Sequence, residues 1–574
     1  MVKRSERKIS ASDVFVLILY TAGIIFVTSF HELWLDDSQA WLIAKCASYK
    51  ELFTDIPHYE GHPPLWHLIL AVFAKNGAPI VFTLKAVNTA FCVWAMALVI
   101  FRSPFPKVVR YLLPFTYYFF YQYGVLSRPY SGLMAAMFLA AITYKQRNIK
   151  PWRYIMSLVL LCLFSAYGMI MAGGLCFVWT LEIITELKNN KKLKFFWKDK
   201  RFYSLCFILM IAIILIVMIM PADDCYYAGY YLTFTDRLKQ IFRYEYVVIY
   251  PYECFSGNLM TDSVMRDDIL AWCFEFICGT AMWISLFLIT KKNGKCCTFF
   301  LPFGMLTLFM AFKHGWGHHI GVGTMFIVFI FWVMADQDGG IAVPEIMKKL
   351  KTKLVSPLIR KLIIVCGALI CIAPVGYSVI ASVNEIKTNT GLACLADVIK
   401  ENHLEDKKIM SVWQYSYYKD DADSVIGPYM FSVLQMPSGH YEVAQNYTYI
   451  MTYAEMIQPF FDKNIFMNYN VDHPDDLYLH WKYNEDTDAV FAQWREQGLP
   501  DFIIGYCPLD EIYDAETLEG VRYLPIMLIE DCSIFKYTVR TNYCRMYMRE
   551  DLFDDYPQFK WIDDQTGNVF ERNE

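Results

Sequence analysis

Asp36 and Asp37 stand side by side shortly after the first apolar run, Val14–Phe30. The stretch from His31 to His62 also holds Glu32, Glu51, Asp55 and Glu60, and it ends in Gly61-His62-Pro63-Pro64. Charge is costly beside a membrane helix, so a carboxylate pair there is a candidate for function. A carboxylate within hydrogen-bond reach of an acceptor hydroxyl takes its proton as the oxygen attacks carbon. Helix capping is the competing reading, because Asp37 precedes Ser38-Gln39-Ala40-Trp41 and an acid or Ser at a helix start satisfies free amides. Capping accounts for one Asp more easily than for two beside Glu32.

The elements that must hold this pair are membrane helices. The 574-residue chain is 56% hydrophobic and 17% aromatic, which points to many spans. Its charge is divided. Residues 383–574 carry 15 Lys/Arg against 34 Asp/Glu, whereas residues 1–382 carry 37 against 23. A basic membrane part (1–382) is therefore followed by an acidic soluble part (383–574). The acidic part argues against a nucleic-acid partner, since phosphates need the opposite sign. The 17 Cys are scattered without a CxxC, so no zinc ribbon or thioredoxin motif is present. Cys394, Cys507, Cys532 and Cys544 leave pairing in the acidic part open.

Hydropathy places eleven spans, with a helix at 64–75 lying at or dipping into the outer face. Basic clusters at 3–8, 102–110, 145–153, 188–201, 291–295 and 348–361 then fall on one side. Cytoplasmic loops collect such charge, which puts the N-terminus in the cytoplasm and the C-terminus outside a plasma membrane. The outer face receives the loop 31–78, Ser127-Arg128-Pro129-Tyr130, the long loop 221–268, the run Lys313-His314-Gly315-Trp316-Gly317-His318-His319 and the acidic part. That part reads as a small α/β domain. A helix is expected at 392–402 and another at 488–497. Strands are expected at 407–413, 501–506, 523–530 and 533–539, the last two joined at Asp531-Cys532. Asn446-Tyr447-Thr448 is a glycosylation sequon.

The residues Trp34-Leu35-Asp36-Asp37-Ser38-Gln39-Ala40-Trp41, followed by Tyr59-Glu60-Gly61-His62-Pro63-Pro64-Leu65-Trp66, resemble the first outer loop of GT-C glycosyltransferases. The nearest resemblance is to the family-39-like enzymes, which include protein O-mannosyltransferases and the aminoarabinose transferases of lipid A. The second acid is Asp37 where that family has Glu, and Leu65-Trp66 stands for Leu-Tyr. Lys85 stands where the family usually has Arg. Ser127-Arg128-Pro129-Tyr130-Ser131-Gly132-Leu133 matches the family's entry to the fourth span. The resemblance covers about residues 13–145.

It implies a GT-C-like fold and a sugar donor on a polyprenyl phosphate. Asp36, with Asp37 beside it, would be the base for a single inverting displacement. A lipid phosphate leaves with negative charge, so fixed cations should stabilise it. Arg128 is the first choice, because its planar fork suits phosphate oxygens, and Lys85 and Lys313 are next. An interfacial anchor is the plainer role for Arg128. His314, His318 and His319 would touch phosphate, bind a divalent metal or line a wet cavity. Glu60, His62 and Tyr130 would be substrate-side groups. Tyr226, Tyr227, Tyr230 and Tyr231 read mainly as an interfacial belt. The acceptor (lipid, glycan or protein) is left open. Two other functions stay in view. One is an oligosaccharide ligase relying on Arg128, Arg243 or His319. The other is a transporter or receptor, for which no motif speaks.

Overall fold

The computed structural model describes residues 8–225, 248, 250–256, 269–312, 317–345, 357–388, 391–411, 452–470, 473–481, 496–505, 520–563 and 566–570. Lys313, His314, Tyr226, Tyr227, Tyr230, Tyr231, Arg243, Asn446, Cys507 and most of 488–497 lie outside the described residues.

Helix α1 (Ala11–Thr28) starts with a reciprocal cap. Ser10 Oγ accepts from the Asp13 amide, and the Asp13 carboxylate accepts from the Ser10 amide, so two free amides of the helix start are satisfied. Asp13 is buried and also takes Arg110 Nη1 at 3.0 Å and the Tyr111 hydroxyl at 2.8 Å. The start of α1 is thereby tied to residues just beyond the next long helix. After α1 come three short helices, α2 (Leu35–Cys46), α3 (Tyr49–Thr54) and α4 (Ile56–Glu60), and then α5 (Leu65–Ala74). Ten residues of helix rise about 15 Å, half of a bilayer's ~30 Å core. A helix of that length is too short to cross the core on its own.

Helix α6 (Ile80–Arg102) is long, and α7 (Lys107–Leu112) follows it. The apolar residues 110–123 do not form one continuous helix. A 3-10 turn at Leu113–Phe115 is followed by a π turn at Tyr118–Gln122. Pro114 has no amide hydrogen to donate and its ring crowds the preceding turn, which breaks the α pattern there. The remaining helices are α8 (Tyr130–Tyr144), α9 (Pro151–Phe164), α10 (Ala166–Asn189), α11 (Lys200–Met218), α12 (Tyr250–Ser256), α13 (Ile269–Lys292), α14 (Cys296–Phe312), α15 (Ile320–Ala335) and α16 (Pro357–Lys387).

Among the described residues, α1, α6, α10 and α11 are long and apolar enough to cross a membrane, and α8, α9, α14 and α15 are apolar but shorter. Phe15, Ile18 and Phe26 of α1 and Leu209, Ile213 and Val217 of α11 are exposed. Such rows of bare apolar side chains suit lipid and would be a liability in water. The protein is a helical membrane protein with a small C-terminal sheet. Close packing inside the bundle is set by small residues. A Cβ on Gly174 of α10 would stand 2.8 Å from Pro302 Cα of α14, so only Gly permits that approach.

The C-terminal part begins with α17 (Leu392–Glu401), whose Leu392, Leu395, Ala396 and Ile399 are buried at the spacing of one helix face. A second, short helix is α18 (Thr452–Ile457). Four strands, β1 (Ile409–Ser411), β2 (Phe502–Gly505), β3 (Tyr523–Phe535) and β4 (Thr538–Arg549), form a sheet in the order β1-β2-β4-β3. β1 runs parallel to β2, and the other pairs are antiparallel. The expected break at Asp531-Cys532 is absent. Both residues sit within β3, paired with Asn542 and Thr541. The hairpin turns at Lys536-Tyr537, with Lys536 at φ 56° and Phe535 opposite Thr538. A two-residue turn of this kind usually takes Asn or Gly, so the sequence carries no turn signal there. Cys394, Cys532 and Cys544 are free thiols.

Candidate functional site

The segment after α1 presents two carboxylates from the start of α2. Trp34 is the N-cap residue and makes no side-chain cap, so neither Asp36 nor Asp37 is spent on capping. Both lie in the first helical turn, where the helix dipole favours negative charge. Successive residues on a helix point about 100° apart, so the pair diverges.

Asp36 is partly open, its side chain 28% exposed, and it forms an ion pair with Arg128. The Arg128 guanidinium lies over the rings of Trp34 (5.9 Å) and Tyr130 (5.8 Å). Arg128 is placed by the chain just before α8. Asn88 of α6 holds the preceding turn, its Nδ2 donating to the carbonyls of Tyr123, Gly124 and Leu126 at 3.0–3.2 Å.

The histidines expected near phosphate gather around the same rings. His318 packs against Trp34 and Tyr130, with ring centroids 6.3 and 6.1 Å away. Its carbonyl accepts from the Tyr123 hydroxyl at 2.7 Å. His319 lies 5.7 Å from the Tyr130 ring, and its Nδ1 is 3.0 Å from the Tyr167 hydroxyl. The His62 ring lies 6.5 Å from that of Tyr167. Burial pushes the His62 imidazole down to about 4, so it is neutral at pH 7, and its Nδ1 has no hydrogen-bond partner among the described residues. Asp36, Arg128, Tyr130, His318, His319 and His62 therefore form one neighbourhood, completed by Trp34 and Tyr167.

Asp37 belongs to a second neighbourhood. It is fully buried, and its Oδ2 lies 3.3 Å from His31 Nε2. The other ring nitrogen of His31 is 2.8 Å from Glu385 Oε1 in the last turns of α16. Tyr121 donates to the second Glu385 oxygen. Lys85 donates to the His31 carbonyl at 2.5 Å, so its ammonium sits with this network rather than beside Arg128. Burial works against a charged His31, but the carboxylates of Glu385 and Asp37 outweigh it and raise its pKa to about 9.

Glu60 meets the C-terminal part. Gln39 Nε2 donates to Glu60 Oε1 at 3.0 Å and to the Leu479 carbonyl at 2.8 Å, and Gln39 Oε1 accepts from the Leu479 amide at 2.9 Å. Burial raises the Glu60 carboxyl to about 7, while hydrogen bonds from Gln39 and Trp481 pull it the other way. A carboxyl whose pKa is raised on folding costs stability as pH climbs from its unfolded value through the folded one. Glu60→Gln should therefore raise the thermal midpoint at pH 8.5 by several degrees, and the gain should fade towards pH 5. A gain of the same size at both pH values would show that ionisation of Glu60 is not the cause.

Among the described residues, no group of three or more His, Cys, Asp or Glu is arranged to hold a metal. Four contributors were not singled out as functional by sequence reasoning: His31, Tyr121, Tyr167 and Glu385. Glu385 had a usable signal, a lone carboxylate at the end of an apolar run. The two tyrosines lie in runs too rich in aromatics to stand out. No protein-family model, curated protein or solved structure matches the chain.

Proposed function

We propose that this protein is an integral-membrane glycosyltransferase of the GT-C type, moving a sugar from a polyprenyl phosphate to an acceptor hydroxyl. The observation that carries the reading is the Asp36–Arg128 ion pair, set among Trp34, Tyr130 and the histidines, on the loop that follows the first apolar helix. In this reading the donor phosphate takes over Arg128 and leaves the Asp36 carboxylate free. Asp36 accepts the acceptor's hydroxyl proton while that oxygen bonds to the anomeric carbon. The carbon–oxygen bond to phosphate breaks, and the electron pair leaves on the polyprenyl phosphate. The leaving charge is met by Arg128, with Tyr167, His318 and His319 nearby to donate hydrogen bonds. Aromatic faces such as Trp34 and Tyr130 suit the apolar face of a sugar ring.

The accompanying topology is eleven spans, a cytoplasmic N-terminus, and the site and the C-terminal part outside the plasma membrane. The acceptor is a lipid, a glycan or a protein. A ligase that transfers a whole lipid-linked glycan is the second reading, favoured by the placement of Arg128 and His319 at one site.

The test is a transfer assay in nanodiscs with a panel of polyprenyl-phosphate pentoses and hexoses, following release of free polyprenyl phosphate. Release from at least one donor is expected. Turnover of diphosphate-linked oligosaccharides alone would replace this reading with the ligase, and solute flux without any transfer would replace it with a transporter.

A further inference from the structure

Asp37 cannot share the duty of Asp36, because it is fully buried and faces His31. His31 is itself only 10% exposed and reaches two carboxylates from opposite sides, Asp37 on α2 and Glu385 on α16. These partners are far apart in the chain, and each end is further secured. Tyr121 holds the second oxygen of Glu385, and Lys85 holds the backbone carbonyl of His31. Two buried carboxylates flanking a neutral imidazole would be costly, whereas an imidazolium can donate from both ring nitrogens at once. Along the chain, Asp37 adjoins Asp36, and Glu385 stands two positions before the end of α16, which leads into the C-terminal part.

We propose that His31 is a positioning residue, a charged clamp that bonds Asp37 to Glu385 and so fixes the first turn of α2, with Asp36 aimed at Arg128. The inference rests on the glycosyltransferase reading for its catalytic consequence, but its structural content is independent of it. The clamp sets where the base stands relative to the donor phosphate without touching either reactant. It also fastens the loop that carries the base to the helix that carries the C-terminal part.

The experiment is a double-mutant cycle on His31→Gln and Glu385→Gln in the full-length protein in nanodiscs, read by amide hydrogen exchange. The isosteric Glu385→Gln loosens the same clamp from its other end if His31→Gln folds poorly. Each single change should speed exchange of the amides in 33–41 by about tenfold and leave those of 130–144 unchanged. The double change should be no worse than either single one, because the clamp is already open. In the transfer assay both singles should lower kcat about tenfold or more with donor KM within about twofold, as expected when geometry at the reacting atoms is lost. Unchanged exchange in 33–41, or fully additive effects of the two changes, would overturn the clamp. If Asp36→Asn abolishes transfer while both clamp variants transfer normally, the clamp's role in positioning the base is wrong and the function stands. If Asp36→Asn transfers normally while the exchange cycle is coupled, the base assignment is wrong and the clamp stands.

Discussion

Asp36→Asn is expected to lower transfer by about 10²–10⁴-fold, the range a positioned general base contributes. The amide keeps the shape of the side chain but cannot accept the acceptor's proton. Folding should survive, because Asp36 is partly exposed and its partner Arg128 keeps the ring faces of Trp34 and Tyr130. Donor KM should change little, since in the proposed mechanism Arg128 meets the phosphate. Arg128→Lys supplies the complementary test. A point charge replaces a planar fork, so donor KM should rise and kcat fall together. The measurement is release of polyprenyl phosphate at saturating and at low donor, for wild type and both variants. Normal turnover by Asp36→Asn would move the base to another group and remove the main support for the proposed mechanism.

Lys536→Met is expected to destabilise the protein by about 3–5 kcal/mol, the cost of breaking a buried ion pair from one side. Lys536 is at the tip of the β3–β4 hairpin, and its ammonium lies 3.1 Å from Glu253 Oε2 with both side chains almost fully buried. Its amide donates to the Tyr117 hydroxyl at 3.0 Å. Phe535 packs on Tyr117 and Tyr537 packs on Tyr377, so the hairpin tip is inserted into the helix bundle. Burial lowers the Lys536 pKa, and the carboxylates of Glu253 and Glu275 oppose that. Removing the lysine takes away the cation 3.1 Å from a buried carboxylate. The double change Lys536→Met with Glu253→Leu should recover most of the loss, because an apolar pair of similar volume often replaces a buried ion pair without penalty. The check is thermal unfolding in nanodiscs, with limited proteolysis between α16 and α17 as a second readout. A single variant that melts like wild type would show that the pair does not hold the hairpin in place.

Local pattern made several features legible in the sequence alone. Apolar runs gave the membrane helices, because a bilayer demands length and hydrophobicity within one contiguous segment. The face of α17 and the strands β1 and β2 were visible because burial on one face imposes its own period. Asp36 and Arg128 were visible as candidates because charge beside apolar helices is rare. What the sequence could not show is which groups meet. The different surroundings of Asp36 and Asp37 follow from the direction of α2 and from the approach of His31, and neither residue type nor spacing encodes that. The bond between His31 and Glu385 joins residues 354 positions apart, and that between Tyr167 and His319 joins residues 152 apart. The turn at Lys536 has no Gly, Asn or Pro to announce it, since its lysine is stabilised by Glu253 in the bundle rather than by the turn itself. The sequence by itself determined a membrane protein with an acidic loop and an acidic C-terminal part. Only the tertiary structure decided which carboxylate is locked and which is open, because burial and pairing belong to surfaces that exist only after distant segments have packed.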